Sequence, residues 1–123
     1  MAEKLHPLKQ LKDVMVVKIA KIIADVLQDN KYDRNKLDSW CKQIIKTVHS
    51  ELAANNNYQD QEFQYKYVVN AVIMERGLNT GIHSKSSCFW QRGSDISMSA
   101  KLNNETLCCI CSAWAIKCTK TCD

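Results

Sequence analysis

The sequence predicts an α+β domain in which two N-terminal helices pack on one face of a four-stranded, mainly antiparallel sheet. Three observations lead there. As far as residue 54, apolar side chains recur at helical spacing in two separate stretches. From residue 64 the period shortens to two, in four stretches. The helices come before all the strands instead of alternating with them, which segregates helices to one side of an antiparallel sheet.

Each element has its own signature. Residues 1–12 read as a lead-in, with Pro7 disfavoured inside a helix. The first helix is expected over 13–28, with Asp13 as N-cap and Met15, Ile19, Ile22, Ile23 and Val26 on the apolar face. Lys18, Lys21, Asp25 and Gln28 occupy the other face. After a connection at 29–32, the second helix is expected over 35–54. Its start resembles a capping box of Asn35 and Asp38, and its stripe is Leu37, Trp40, Cys41, Ile44, Val48 and Leu52. Residues 55–62 are polar and read as a loop.

The first strand, 64–75, places Tyr65, Tyr67, Val69, Ala71 and Ile73 on one face and Val68, Val72 and Met74 on the other. Apolar residues on both faces suggest a central strand. The second strand is expected over 81–91. The third, 96–102, alternates cleanly with Ile96, Met98, Ala100 and Leu102 on one side. The fourth, 106–116, is again apolar on both faces, and Asn103-Asn104 reads as the turn before it. That turn makes a bland structural explanation for the Asn104-Glu105-Thr106 sequon. The organisation is thus a lead-in (1–12), one domain (13–116) and a polar cysteine-containing tail (117–123).

Composition narrows the function. The 123 residues are 46% hydrophobic and 24% charged, a globular composition. Net charge is +4, and the first 52 residues hold ten Lys/Arg against seven Asp/Glu. That mild surplus lies along helices and forms no basic stripe, which argues against nucleic-acid binding. The stretch 14–27 is interrupted by Lys18, Lys21 and Asp25, and no apolar run reaches membrane-spanning length. The start is too charged for a signal peptide, so a cytoplasmic location without membrane insertion is expected. Seven cysteines, an odd number, fit a reduced protein better than a disulfide framework.

The second strand carries the functional argument. It is polar at its centre and ends in Ser86-Ser87-Cys88-Phe89-Trp90. Its own packing specifies its register weakly. A strand of this kind belongs at an edge, where another chain can add on. Ile82, His83, Ser84 and Lys85 precede the run. The small hydroxyls of Ser86 and Ser87 would let a foreign backbone approach, and Phe89 and Trp90 either wall an apolar pocket or pack in a core.

These stretches resemble the Tctex-type dynein light chain family. The family pattern is a strand rich in Val, Ile and Met, a Gly-containing turn ending in His, a Ser-Ser-Cys-Phe-Trp run, and a last strand ending in Ser-Ala-aromatic. Here those are 68–74, Gly81-Ile82-His83, 86–90 and Cys109-Ile110-Cys111-Ser112-Ala113-Trp114. The segment 32–52 with Trp40 also matches, so the likeness spans about 14–116. Leu102 stands where the family often carries Trp, and contacts made there are not carried over.

The resemblance implies a strand-exchanged homodimer in which the second strand crosses to the neighbouring subunit. Ile82, His83, Ser84 and Lys85 would then lie in the dimer interface. Ser86, Ser87, Cys88, Phe89 and Trp90 would bind extended segments of partner proteins. The implied partners are a second copy of the chain, dynein intermediate chains and cargo proteins. The implied role is a non-catalytic, cofactor-free light chain of a cytoskeletal motor, with cytoplasmic and axonemal motors left open. A light-chain-like dimerisation or cargo module acting outside the motor is the alternative.

Other chemistries are poorly served. The three glycines, Gly77, Gly81 and Gly93, form no phosphate loop. His83 and Ser87 share a strand face but stand ~13 Å apart at ~3.3 Å per residue, too far to pair as base and nucleophile. Cys108, Cys109, Cys111, Cys118 and Cys122 are dense enough to suggest a thiolate metal site, yet no C-x-x-C knuckle is present. Cys109 and Cys111 share a strand face and read as small apolar core residues. His49 is expected at the surface of the second helix. A histidine at position 83 would make a dimer seam sensitive to pH.

Overall fold

The computed structural model describes residues 7–54, 63–77 and 96–119, with side chains over 11–54, 65–77 and 96–116. The elements are α1 (Pro7–Leu27), a 3-10 turn (Arg34–Lys36), α2 (Leu37–Ala54), β1 (Phe63–Glu75), β2 (Ile96–Asn103) and β3 (Leu107–Thr119). The expected α+β order holds.

Helix α1 begins at Pro7, six residues before Asp13. Proline has no N–H, and the first turn of a helix needs none, so Pro7 starts the helix instead of preceding it. Residues 7–12 therefore belong to α1, and Asp13 is an exposed position inside it, not its cap. Of the expected apolar face Met15, Ile19, Ile22 and Ile23 are buried and Val26 is half-buried, while Leu11 and Leu27, not expected there, are buried with them. The helix ends at Gln28, whose φ of 50° is left-handed. Its N–H still reaches the Ala24 carbonyl at 2.8 Å, and Asn30 covers the Leu27 carbonyl with both its backbone and side-chain N–H.

Asp33, not Asn35, caps the next segment. Its carboxylate accepts from the Asn35 N–H at 3.0 Å, and a 3-10 turn precedes α2. The α2 stripe is as the spacing predicts, with Trp40, Ile44, Val48 and Leu52 buried. Lys18 of α1 and Glu51 of α2 form an ion pair at 3.0 Å across the helix pair. Its side chains are more than a third exposed, so it orients the helices more than it stabilises them.

The strand order is β1-β3-β2, with antiparallel pairing throughout. β1 therefore lies at an edge of the described sheet, and β3 is the central strand. The expectation that β1 is a central strand depends on where the second strand, outside the described residues, pairs, so the three described strands leave it open. β3 also continues to Thr119, opposite Phe63, so the first three residues of the expected tail extend the strand. The predicted second strand, 81–91, lies outside the described residues, as does the loop 55–62. Three of the four expected strands are thus described.

α1 lies over β2 and α2 over β1. Between them the central strand offers Leu107, Cys109, Cys111, Ala113 and Ala115, all fully buried. Four of these five are small, which lets two helices settle side by side above one strand. The expected faces of β1 and β2 hold: Tyr65, Tyr67, Val69, Ala71, Ile73, Ile96, Met98, Ala100 and Leu102 all pack against the helix-side core.

The β2–β3 turn is tied to the rest through Asn104, Thr106 and Arg76. Asn104 Oδ1 accepts from the backbone N–H of Thr106 and Leu107, each at 2.8 Å, and from the Thr106 hydroxyl at 3.3 Å. Its amide nitrogen donates to the Asn30 carbonyl at 3.1 Å. Thr106 Oγ1 accepts in turn from the Tyr32 N–H at 2.8 Å. The guanidinium of Arg76 donates to the Asn104 carbonyl. The sequon is thus a structural turn whose asparagine amide is occupied at both ends.

Candidate functional site

The nine residues expected to make partner and dimer contacts are Ile82, His83, Ser84, Lys85, Ser86, Ser87, Cys88, Phe89 and Trp90. All lie outside the described residues. What the described residues offer is the ground on which such a strand would act: an open strand edge and an open sheet face.

The edge is β2. Among the described residues it pairs with β3 on one side and with nothing on the other. A cleft of about 190 Å³ lies there, lined by Lys12 and Val16 of α1, Ser97, Met98 and Ser99 of β2, and Ser112 and Trp114 of β3. Met98 points to the helices while its two neighbours point away. A cleft touching all three therefore wraps the strand's outer margin. An unpaired strand margin presents backbone N–H and C=O groups in a row, the requirement for strand addition. The lining hydroxyls are small, and the Lys12 ammonium brings one positive charge. Sequence reading placed the partner site on residues 86–90, outside the described residues, and did not point to this margin.

The face is the side of the sheet away from the helices. Val68 is 49% exposed and Val72 40% exposed on β1. Ile110, Trp114 and Ile116 of β3 are half-buried on the same side, as is Met74. Covering side chains that are already about half-buried is worth roughly 1 kcal/mol each, and contiguous apolar faces of this kind favour a covering partner.

The thiols are part of the packing. Cys109 and Cys111 are fully buried, and Cys41 of α2 lies with its sulfur 4.0 Å from the Ala71 carbonyl oxygen. Burial, then the neighbouring thiols, push Cys109 from its ordinary 9.0 up to about 12. Burial, then Cys41, push Cys111 up to about 11. Burial and then Asp38 raise Cys41 as well. The full burial of Cys109 and Cys111 among apolar neighbours in the core fits them as packing residues. Cys118 and Cys122 have no described side chains.

A pH dependence follows with a definite sign. Unfolded, these thiols ionise near 9.0, whereas folded they keep their protons to about 11 or 12. Above pH 9 the folded state therefore binds more protons than the unfolded state, and stability falls as pH rises. Below that pH both states hold the protons and the thiols add no slope. Urea midpoints of the wild type should drop between pH 9 and 11, and Cys109→Val should drop less over that window. An identical slope in the variant would mean that other groups cause the loss.

His49 is exposed on α2, as expected. No described helix is long and apolar enough to cross a membrane.

Fold and site together define a class: a small α+β domain whose described residues carry a strand margin without a neighbour and an apolar sheet face. Comparison with known proteins makes it specific. The model of the Tctex-1 family matches residues 10–116. A Dynein light chain Tctex-type from Drosophila melanogaster is 29% identical over 98 residues, covering 80% of this chain and 82% of the relative. The Dictyostelium discoideum protein of the same name is 31% identical over 91 residues, covering 74% and 77%. The Mus musculus Dynein light chain Tctex-type 3 is 28% identical over 98 residues, covering 80% and 78%. The chain belongs to the Tctex-1 family, that of the Tctex-type dynein light chains.

Proposed function

We propose that this chain is a non-catalytic light chain of a dynein motor, a homodimer that binds extended segments of dynein intermediate chains by strand addition. The observation that carries this reading is the outer margin of β2, unpaired among the described residues, with its cleft. Only four residues, 92–95, separate the predicted strand 81–91 from β2. In the proposed dimer the 81–91 strand of one copy lies along the partner's β2. Ile82, His83, Ser84 and Lys85 make that seam. Ser86, Ser87, Cys88, Phe89 and Trp90 receive the intermediate-chain segment on the strand's far side.

Pairing explains why such a subunit is useful without chemistry. A dimer presents two equivalent binding edges. Two intermediate chains held side by side raise each other's effective concentration, so weak single contacts hold a lasting assembly. The motor works on the cytoskeleton, and the light chain would be found there with it.

The test is calorimetry and light scattering with a peptide from the disordered N-terminal part of an intermediate chain. Two peptides per dimer are expected. A monomeric variant should bind one peptide weakly and fail to hold two intermediate chains together. Equal capture of paired chains by monomer and dimer would overturn the reading. Dimerisation without any peptide binding would instead favour an adaptor acting outside the motor.

A further inference from the structure

Helix α1 is apolar on two sides. Its core side carries Leu11, Met15, Ile19, Ile22, Ile23 and Leu27, all buried. On the opposite side Val14 is 44% exposed and Val17 69% exposed, and Ala20 and Ala24 are exposed with them. Helical spacing sets these four on one outward stripe of about three turns. Apart from the sheet face, the two valines are the only exposed large hydrophobic residues among the described ones. Valine gains nothing at an exposed helix position, where β-branching lowers helix propensity. A helix with a second apolar stripe is expected to meet a second neighbour.

The charges beside the stripe say which neighbour. Asp13 and Lys21 are both exposed and form no ion pair among the described residues. One stands four residues before Val17 and the other four after it, so they flank the stripe on opposite sides, each about 40° from Val17. A second α1 laid antiparallel on the first, with the two-fold axis through Val17, brings residues equally distant from Val17 level with one another. Val17 then meets itself, and Val14 comes level with Ala20 of the second copy. Asp13 comes level with Lys21 of the second copy, and symmetry repeats that pair at the other end. A parallel pairing would instead set Asp13 on Asp13 and Lys21 on Lys21. We infer that the outer face of α1 is a self-complementary docking surface for a second copy of this chain, paired antiparallel about Val17 and closed by two Asp13–Lys21 ion pairs. This goes beyond the homodimer proposed above, which uses the β2 margin and not this helix face.

Size sets the strength. The stripe from Asp13 to Ala24 is about 18 Å long and about 10 Å wide. That footprint is far smaller than the ~800 Å² each partner gives to a stable interface, so the contact is weak by itself. A dissociation constant of about 0.1–1 mM is expected. Such a contact acts where copies are already held close. A homodimer presents two α1 faces, so neighbouring dimers carried on one assembly would join through them at high effective concentration.

The test is a charge swap, read by small-angle X-ray scattering on the full chain from about 0.05 to 2 mM. Wild-type particles should grow about twofold in chain count over that range, and added salt should oppose the growth. Asp13→Lys and Lys21→Asp each set like charges level with one another, and each should weaken the association roughly tenfold. The double variant Asp13→Lys/Lys21→Asp restores opposite charges and should recover it. Val17→Asp should remove the growth altogether. All three positions are exposed, and circular dichroism should report the wild-type fold in every variant. Wild-type particles that do not grow, or growth that survives Val17→Asp, would overturn the α1 face as a contact. Single reversals that the double variant fails to rescue would overturn the antiparallel register. The chain count left in Val17→Asp reports the homodimer separately: two chains support it, and one chain overturns that reading while the α1 contact stands.

Discussion

Replacing Asn104 with Ala should lower the unfolding free energy by about 3 kcal/mol, an effect out of proportion to a half-buried turn residue. One amide accepts from two backbone N–H groups and one hydroxyl, and donates to the carbonyl of Asn30. Alanine removes its own bonds and also strands the donors of Thr106 and Leu107. A net ~1 kcal/mol per lost bond, with partial rehydration of the exposed side, gives the figure. The loss should also reach further than the turn. Asn30 and Tyr32 lie in the α1–α2 connection, and Arg76 follows β1 with its N–H 2.8 Å from the Thr106 carbonyl. Three connections therefore meet at this turn, and the Asn104 side chain makes one of the links directly while holding the turn that makes the others.

Controls separate the amide's two ends. Asn104→Asp keeps an acceptor for the turn but loses the donor to Asn30, and should cost about 1–2 kcal/mol. Thr106→Val removes the hydroxyl that receives the Tyr32 N–H and should cost about the same. Urea unfolding at one fixed protomer concentration measures all three, since association adds to apparent stability. An Asn104→Ala loss below about 0.5 kcal/mol, the range of an ordinary surface position, would mean that water replaces the amide without penalty.

This turn also illustrates what the sequence disclosed and what it hid. Asn103-Asn104 was legible as a turn because asparagine bonds its own backbone locally. That the same amide also holds Asn30, 74 residues away, was not legible, because nothing local encodes a distant partner. Helix faces were legible for the opposite reason. Ile19 and Ile23, or Ile44 and Val48, announce a buried stripe by spacing alone, whatever they pack against.

Helix starts were harder to read. Pro7 and Asp33 are both sound initiators, yet Asp13 and Asn35 compete for the same assignment by residue type. Strand position was hardest. β1 and β3 are both apolar on two faces, but only pairing tells which is central. The make-up of the open face needed that register too. Asn70, Ser112 and Ser99 are far apart in sequence and line up only once β1, β3 and β2 are aligned. The proposed partner strand was read from its weak self-packing, an argument from what a segment lacks, and it falls outside the described residues.

Two tryptophans should respond in opposite ways, and the larger effect belongs to Trp40. It is 5% exposed in the first turn of α2, on the stripe it shares with Ile44, Val48 and Leu52. Trp40→Ala should cost about 4 kcal/mol, the sum of lost apolar burial and a cavity too large for the neighbours to fill. Most of a small domain's net stability is of that order, so the variant should be partly unfolded at about 37 °C. Trp40→Phe restores most of the volume and should cost about 1.5 kcal/mol.

Trp114 lies on the other side of the sheet, half-buried among Ser97, Ser99 and Ser112 at the cleft. Its removal opens no enclosed cavity, so Trp114→Ala should leave a folded chain and a modest loss of about 1 kcal/mol at low protomer concentration. If the proposed association uses this face, its main effect should appear there, since a half-exposed aromatic on an apolar face is a ready anchor. Thermal unfolding and sedimentation on the two variants form the measurement. If Trp114→Ala unfolded as readily as is expected of Trp40→Ala, while Trp40→Ala kept its fold, the core would have to be placed on the side of the sheet that holds Trp114.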